Sequence, residues 1–482
     1  MPFLSASKSF VCALAILTTL PAILGTAHGD PPPASTCSYL GTEARCGVLI
    51  VPENRARPRE REIELHYVVV SAKNRTGPPI FLLAGGPGQS AIVAASHGSP
   101  IFDTLRGGHD FVVLDQRGTG RSHPLDCLLY TDDASTLGEV FPLAAVRSCR
   151  DELAQSSDLN AYGSAAAADD INDLRRALGY DKILLYGGSY GTTEALVYIR
   201  RHGHTVAGAL LEGVAPTFFR LPLPFPQGAQ HALLDLTKAC NNDSACHAAF
   251  PSFANEFQTM VDRSHAGIAV DYVNASHEHV QGAISHAVFA DRMRQAMYSQ
   301  DTAAVVPFVI HQAYQGDTTP LGKLVVLLSR SINGSLAIGE NFSVDCAEDV
   351  AFISDTDVAA ASAGSFMGDT IIRARQDVCA IWNVQPVDKS FLDPVHSHVP
   401  VLMLSGTDDP ATPPQYAAEQ LKYLPSGRQV LIANGVHDED SPCLERLRQE
   451  FLDRHSTKNL DAECAAVNKR PPFATSLPNF LK

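Results

Sequence analysis

The chain has 482 residues, 45% of them hydrophobic and 18% charged, with 37 Lys+Arg against 52 Asp+Glu and a formal net charge of −15. The ordinary apolar fraction excludes a wholly disordered chain, and the length allows one large core plus an inserted or second unit. The acidic balance excludes nucleic acid as a partner, because phosphate binding needs a basic face.

Residues 1–29 read as a signal peptide. Lys8 supplies a positive start, 10–25 is apolar with a break at Pro21, and Gly25-Thr26-Ala27 or Ala27-His28-Gly29 suits cleavage. The apolar run falls short of the roughly 20 residues that a spanning helix needs. The expectation is an exported protein, secreted or periplasmic, without stable membrane association after cleavage.

After a Pro-rich start at 30–36, residues 63–70 alternate as a half-exposed strand, and 79–83 and 111–114 are short apolar runs suited to buried strands. Residues 165–178 form an amphipathic pattern stopped by Gly179; 183–186 is a strand, 192–201 a helix and 207–211 a strand. From about 216 to 396 the pattern is mainly helical, as at 230–240 and 304–314, entered through Leu221-Pro-Leu-Pro-Phe-Pro226. Strand character returns at 399–404 and 429–433, around a helix-like 415–423. Short strands alternating with helices predict an α/β fold with a mostly parallel sheet. The expected organisation is signal peptide 1–29, first core part 30–216, helical cap 217–396, second core part 397–456 and tail 457–482.

Of 11 cysteines, Cys12 leaves with the signal, and an even number remains. In an exported chain they should pair. They fall into near neighbours (Cys37 and Cys46, Cys127 and Cys149, Cys240 and Cys246, Cys346 and Cys379, Cys443 and Cys464), although sequence leaves the connectivity open. No Cys-x-x-Cys occurs, and His396-Ser-His398 is a lone pair, so no metal is expected.

The chemistry centres on Gly187-Gly188-Ser189-Tyr190-Gly191, which follows the strand at 183–186 and opens a helix. That context is the G-x-S-x-G elbow: the sharp turn strains the serine, flanking glycines tolerate the crowding, and the helix N-terminus points N–H groups at the serine oxygen. Such a nucleophile needs a base and an orienting acid, in the chain order serine, acid, histidine. The strand at 399–404 runs into Ser405-Gly-Thr-Asp-Asp-Pro410, and that at 429–433 into Asn434-Gly-Val-His437. Ser189, Asp409 and His437 are therefore the candidate triad, with Asp408 the competing acid. Ala84-Gly-Gly-Pro-Gly88 follows the strand at 79–83 and can bring backbone to the substrate. The expected oxyanion donors are the N–H groups of Gly86 and Tyr190.

Four ordered motifs carry a resemblance: Gly85-Gly-Pro-Gly-Gln-Ser90, Asp115-Gln-Arg-Gly-Thr-Gly-Arg-Ser122, Gly187-Gly-Ser-Tyr-Gly-Thr192 and Gly406-Thr-Asp-Asp-Pro-Ala-Thr-Pro413. Together they resemble the proline iminopeptidase and tripeptidyl aminopeptidase family of α/β-hydrolase serine peptidases, over about 40–465. The resemblance implies an α/β-hydrolase fold with a large helical cap inserted before the acid-bearing strand, and it places the acid on Asp409. Ser343-Val-Asp-Cys-Ala-Glu-Asp349 and Cys379-Ala-Ile-Trp382 extend it into the cap, on the tripeptidyl, TAP-like side. Proline iminopeptidases usually carry histidine where this chain has Ala84, which also favours that branch.

The expected activity is removal of residues from free peptide N-termini by a Ser-His-Asp acyl-enzyme route, without metal or organic cofactor. Glu348 and Asp349 are candidate acceptors for the substrate ammonium, since no Lys or Arg occurs between Arg330 and Arg373 to pair with them. The plain alternative is a solvated acidic turn. Asp115-Gln-Arg-Gly118 reads as an Asp–Arg pair fixing a loop, and Glu212 as structural. Competing functions are an esterase or amidase on small acyl substrates, because fold does not fix substrate, and a catalytically silent binding protein.

Overall fold

The computed structural model describes residues 34–96, 107–274 and 276–481. The signal peptide expected at 1–29 lies outside them. The chain enters through three antiparallel strands, β1 (Ala34–Tyr39), β2 (Thr42–Pro52) and β3 (Glu62–Val70). The next strands, β4 (Ile80–Leu83) and β5 (Phe111–Leu114), are short apolar runs. Helix α1 (Ser164–Ala177), β6 (Ile183–Gly188), helix α2 (Tyr190–His202) and β7 (Val206–Glu212) follow.

The segment after β7 carries the hairpin β8 (Ile268–Val273) and β9 (His279–Ile284), then helices that include α3 (His286–Ala296), α4 (Ile338–Glu348) and α5 (Thr370–Trp382). The hairpin departs from the mainly helical reading of this stretch. Its signal was present in the sequence: Ile268, Val270 and Tyr272 alternate with exposed positions, the period of a half-buried strand. Beyond it come β10 (Val401–Gly406), β11 (Gly427–Ile432) and helix α6 (Pro442–Arg454).

One nine-stranded sheet has the order β1-β2-β3-β5-β4-β6-β7-β10-β11. From β5 to β11 all neighbours run parallel; β3 meets β5 antiparallel. The central strands are buried on both faces, which is why β5 and β10 read as unbroken apolar runs. Alternate residues feed two cores. Phe81, Leu185, Leu211 and Met403 pack on one face beneath α1 and α2, and Ile80, Leu184, Leu210 and Leu402 on the other against α6. The segment between β7 and β10 has its own core, with Phe257, Phe289, Met293 and Leu324 at 2% exposure or less.

Among the described residues, five disulfides join sequence neighbours: Cys37–Cys46, Cys127–Cys149, Cys240–Cys246, Cys346–Cys379 and Cys443–Cys464. The fourth fastens α4 to α5, and the last fastens α6 to the tail.

Candidate active site

Parallel strands deliver their loops to one edge of the sheet, and the candidate residues arrive there from β4, β6, β10 and β11. Ser189 sits between β6 and α2 with φ of 53°, the strained backbone of a strand-to-helix elbow. A Cβ on Gly187 would lie 2.4 Å from the Gly191 carbonyl oxygen, and one on Gly191 would lie 2.2 Å from that of Leu83. Glycine is therefore required on both flanks. Thr192 holds the turn, its Oγ1 donating to the Ser189 carbonyl at 2.6 Å and its N–H at 2.9 Å.

Asp409 lies past the end of β10 and is 2% exposed. Its Oδ1 accepts from the N–H groups of Ala411 and Thr412 at 2.7 and 2.9 Å, and its Oδ2 accepts from Thr412 Oγ1 at 2.7 Å. His437, past the end of β11, places Nδ1 3.0 Å from Asp409 Oδ2. Burial opposes the Asp409 charge, but the imidazole and the Thr412 donors outweigh it and hold the carboxyl below its ordinary range. Burial also opposes charge on His437; the attraction and hydrogen bond of Asp409 prevail and raise it. The Tyr298 ring packs against the imidazole at 4.9 Å. Asp408 faces away, accepting from Thr407 Oγ1 at 2.8 Å and pairing with Arg470.

Ser189, His437, Gly86, Tyr190, Glu348 and Asp349 all line one cavity of about 420 Å³. Gly86 takes φ of 115°, a conformation that favours glycine, so the 85–88 loop can fold back over Ser189. A Cβ on Gly85 would come 3.2 Å from Ser189 Cβ, which shows how close that loop lies.

The acidic wall differs from a solvated turn. Glu348 ends α4 at 1% exposure, and its Oε1 and Oε2 accept from the N–H and Oγ of Ser164 at 2.7 and 2.5 Å. Sequence distance hid this partner, which lies 184 positions away. Burial raises Glu348 to about 7 against those bonds. Asp349 is raised well above its ordinary value by burial and by Asp345 and Glu348, while the Leu221 backbone donates to it. Arg375 of α5 faces Asp345 at 3.2 Å and gives Asn341 a hydrogen bond at 2.6 Å. Glu194 and Glu340, also buried, complete a group of carboxyls that the sequence reading did not assemble.

Arg117 pairs with Asp170 through two bonds of 2.6 and 2.7 Å rather than with Asp115, which instead accepts from Ser90 Oγ at 2.6 Å. Glu212 is tied to Arg448 at 2.6 Å. Among the described residues, no group of three or more His, Cys, Asp or Glu is arranged to hold a metal ion.

Residues 78–238 match the family model for the alpha/beta hydrolase fold, and 364–464 match that for TAP-like protein. The proline iminopeptidase of Neisseria gonorrhoeae is 32% identical over 152 residues, 31% of this chain and 37% of that protein. The chain thus aligns with little more than a third of that relative. Serine protease Hip1 of Mycobacterium tuberculosis is 27% identical over 420 residues, covering 77% of each chain. Among solved structures, proline iminopeptidase from Mycobacterium smegmatis aligns with 85% of this chain and 98% of its own at 15% identity and a TM-score of 0.41. The chain has an α/β-hydrolase fold, its residues 78–238 and 364–464 are similar to the alpha/beta hydrolase and TAP-like families respectively, and the relatives it resembles are named as peptidases.

Proposed function

We propose that this protein is an exported serine aminopeptidase, of tripeptidyl or prolyl type, that cleaves peptides from their free N-termini through an acyl-enzyme. The observation that carries the reading is the Asp409–His437 pair, 3.0 Å apart, opening into the same cavity as the strained Ser189. In this mechanism His437 takes the Ser189 proton as Oγ attacks the scissile carbonyl. Asp409 holds the imidazole tautomer and stabilises the imidazolium. The N–H groups of Gly86 and Tyr190 receive the oxyanion, and His437 returns the proton to the leaving amine. Water, activated by the same imidazole, then releases the acyl group.

The acidic cavity wall supports recognition of an ammonium group. Asp349, lining the cavity beside Glu348, offers the less occupied carboxyl. A substrate ammonium brought to it would favour the ionised form and add to the attraction that Arg375 exerts. The five disulfides and the leader pattern at 1–29 support export.

The test is a panel of matched peptides with free and acetylated N-termini, read by mass spectrometry. Release only from free N-termini is expected. Equal cleavage of both sets, or turnover of small esters alone, would overturn the aminopeptidase reading.

A further inference from the structure

The carboxylate that ends α4 is joined to the back of the elbow by an unbroken series of hydrogen bonds. Gln116 Nε2 lies 3.3 Å from Tyr190 Oη and 3.1 Å from Glu340 Oε1. Tyr190 Oη lies 2.8 Å from Ser164 Oγ, and Ser164 Oγ lies 2.5 Å from Glu348 Oε2. Proton counting sets the direction once Glu348 is ionised. Ser164 has one hydroxyl proton; above the Glu348 value of about 7 the ionised carboxylate can only accept it, and Tyr190 then donates to Ser164. Gln116 has two amide protons, one for Tyr190 and one for Glu340. Ser164, Glu348 and Glu340 are 1% exposed or less and Tyr190 is 7%, so water does not substitute for these partners.

The geometry points to Ser164 as a positioning residue for the oxyanion hole, clamping the Tyr190 side chain so that the α4 carboxylate fixes the N–H that follows Ser189. This inference rests on the serine-hydrolase reading above. Tyr190 begins α2 and its backbone N–H is the donor proposed there. A ring held at its far end by the loop after β5 and the first turn of α1, both of them braced by α4, cannot swing, and the turn that bears the N–H moves only with it. Preorganised donors act through such fixity, and a displacement of about 1 Å can cost roughly 100-fold. Glu348 then acts through Ser164 and Tyr190 on acyl transfer itself, for any substrate, and the amine contact falls to Asp349.

The experiment measures kcat and KM of Ser164→Ala, Tyr190→Phe and the double variant on a small neutral ester and on a free-amine peptide, per site titrated with a fluorophosphonate. Each single change should lower kcat about 10-fold on both substrates with KM within about twofold, a part of the full displacement cost. The double variant should lose no more than the worse single, because both cut one chain of contacts. Ser164→Thr, which restores the hydroxyl, should recover most of the rate. If Ser164→Ala fails to fold, Tyr190→Phe alone carries the test. A kcat within twofold of wild type in the singles, losses that multiply in the double, or a loss confined to KM would overturn the inference. A wild-type protein that takes no fluorophosphonate at Ser189 would remove the underlying reading, and this inference with it.

Discussion

Asp409 Oδ2 stands 3.0 Å from His437 Nδ1, while its neighbour Asp408 is turned away to pair with Arg470. The two aspartates share a loop but not a chemistry. Asp409 is buried, and Ala411, Thr412 and His437 all direct hydrogen bonds to it. Asp409→Asn should lower kcat/KM by roughly 10³- to 10⁴-fold, the usual cost of losing the orienting acid. Asp408→Asn should stay within about tenfold, because its carboxyl is bonded to Thr407 and Arg470 and none of its bonds reaches the imidazole. Steady-state kinetics of the two variants is the check, and equal losses would contradict the assignment.

The pH profile should carry the same signature. Burial disfavours the imidazolium, but Asp409 outweighs it with help from Asp438, while Arg294 opposes, so His437 is raised above its ordinary value near 6.5. The general base must be neutral, so kcat/KM should rise with pH through a midpoint above 6.5. Asp409→Asn should move that midpoint down in its residual activity. A wild-type midpoint at or below 6.5 would contradict this.

Stability should depend on pH in the opposite sense to that of ordinary salt-bridged carboxylates. Burial, with Asp170 and Glu348 nearby, raises Glu194 to about 8, and burial raises Glu348 to about 7. Between their ordinary values near 4.5 and these raised ones, the folded state binds more protons than the unfolded chain. Stability contributed by these groups is therefore present below pH 4.5 and is lost as pH rises towards 8. Melting temperature should fall from pH 5.5 to 8.5, and Glu194→Gln should flatten the slope. A Tm that rises over that range, or an unchanged slope in the variant, would contradict the buried carboxyl group.

The Cys346–Cys379 bridge closes a separation of 33 residues and fastens α4, which ends in Glu348, to α5. Loop-entropy arguments assign such a bridge about 3–4 kcal/mol. Replacing both cysteines by alanine should lower Tm by several degrees. Alkylation of the unreduced mature protein should label no cysteine; two or more labelled thiols would contradict the pairing.

What was legible in the sequence was local. The elbow glycines crowd one another within five positions, and Asp409 and His437 stand just beyond apolar strands, so motif and strand end announce each other. The β8–β9 hairpin was legible only by its alternation at Ile268, Val270 and Tyr272, masked by helical patterns on both sides. The bonds between Ser164 and Glu348 were not legible at all. Glu348 stands in the 343–349 motif but nothing local marks Ser164 as its partner, and their meeting depends on how α4 packs across the elbow. The pairing of Arg117 with Asp170 rather than Asp115 was hidden for the same reason.

The central claim is that Ser189 is the nucleophile, and the most direct measurement is the site of covalent labelling by a fluorophosphonate, mapped by peptide mass spectrometry. The account predicts modification at Ser189 alone, and in Ser189→Ala no label, a near-native melting temperature and turnover reduced by more than about 10³-fold. Label on another residue, or turnover in Ser189→Ala within about tenfold of wild type, would contradict it.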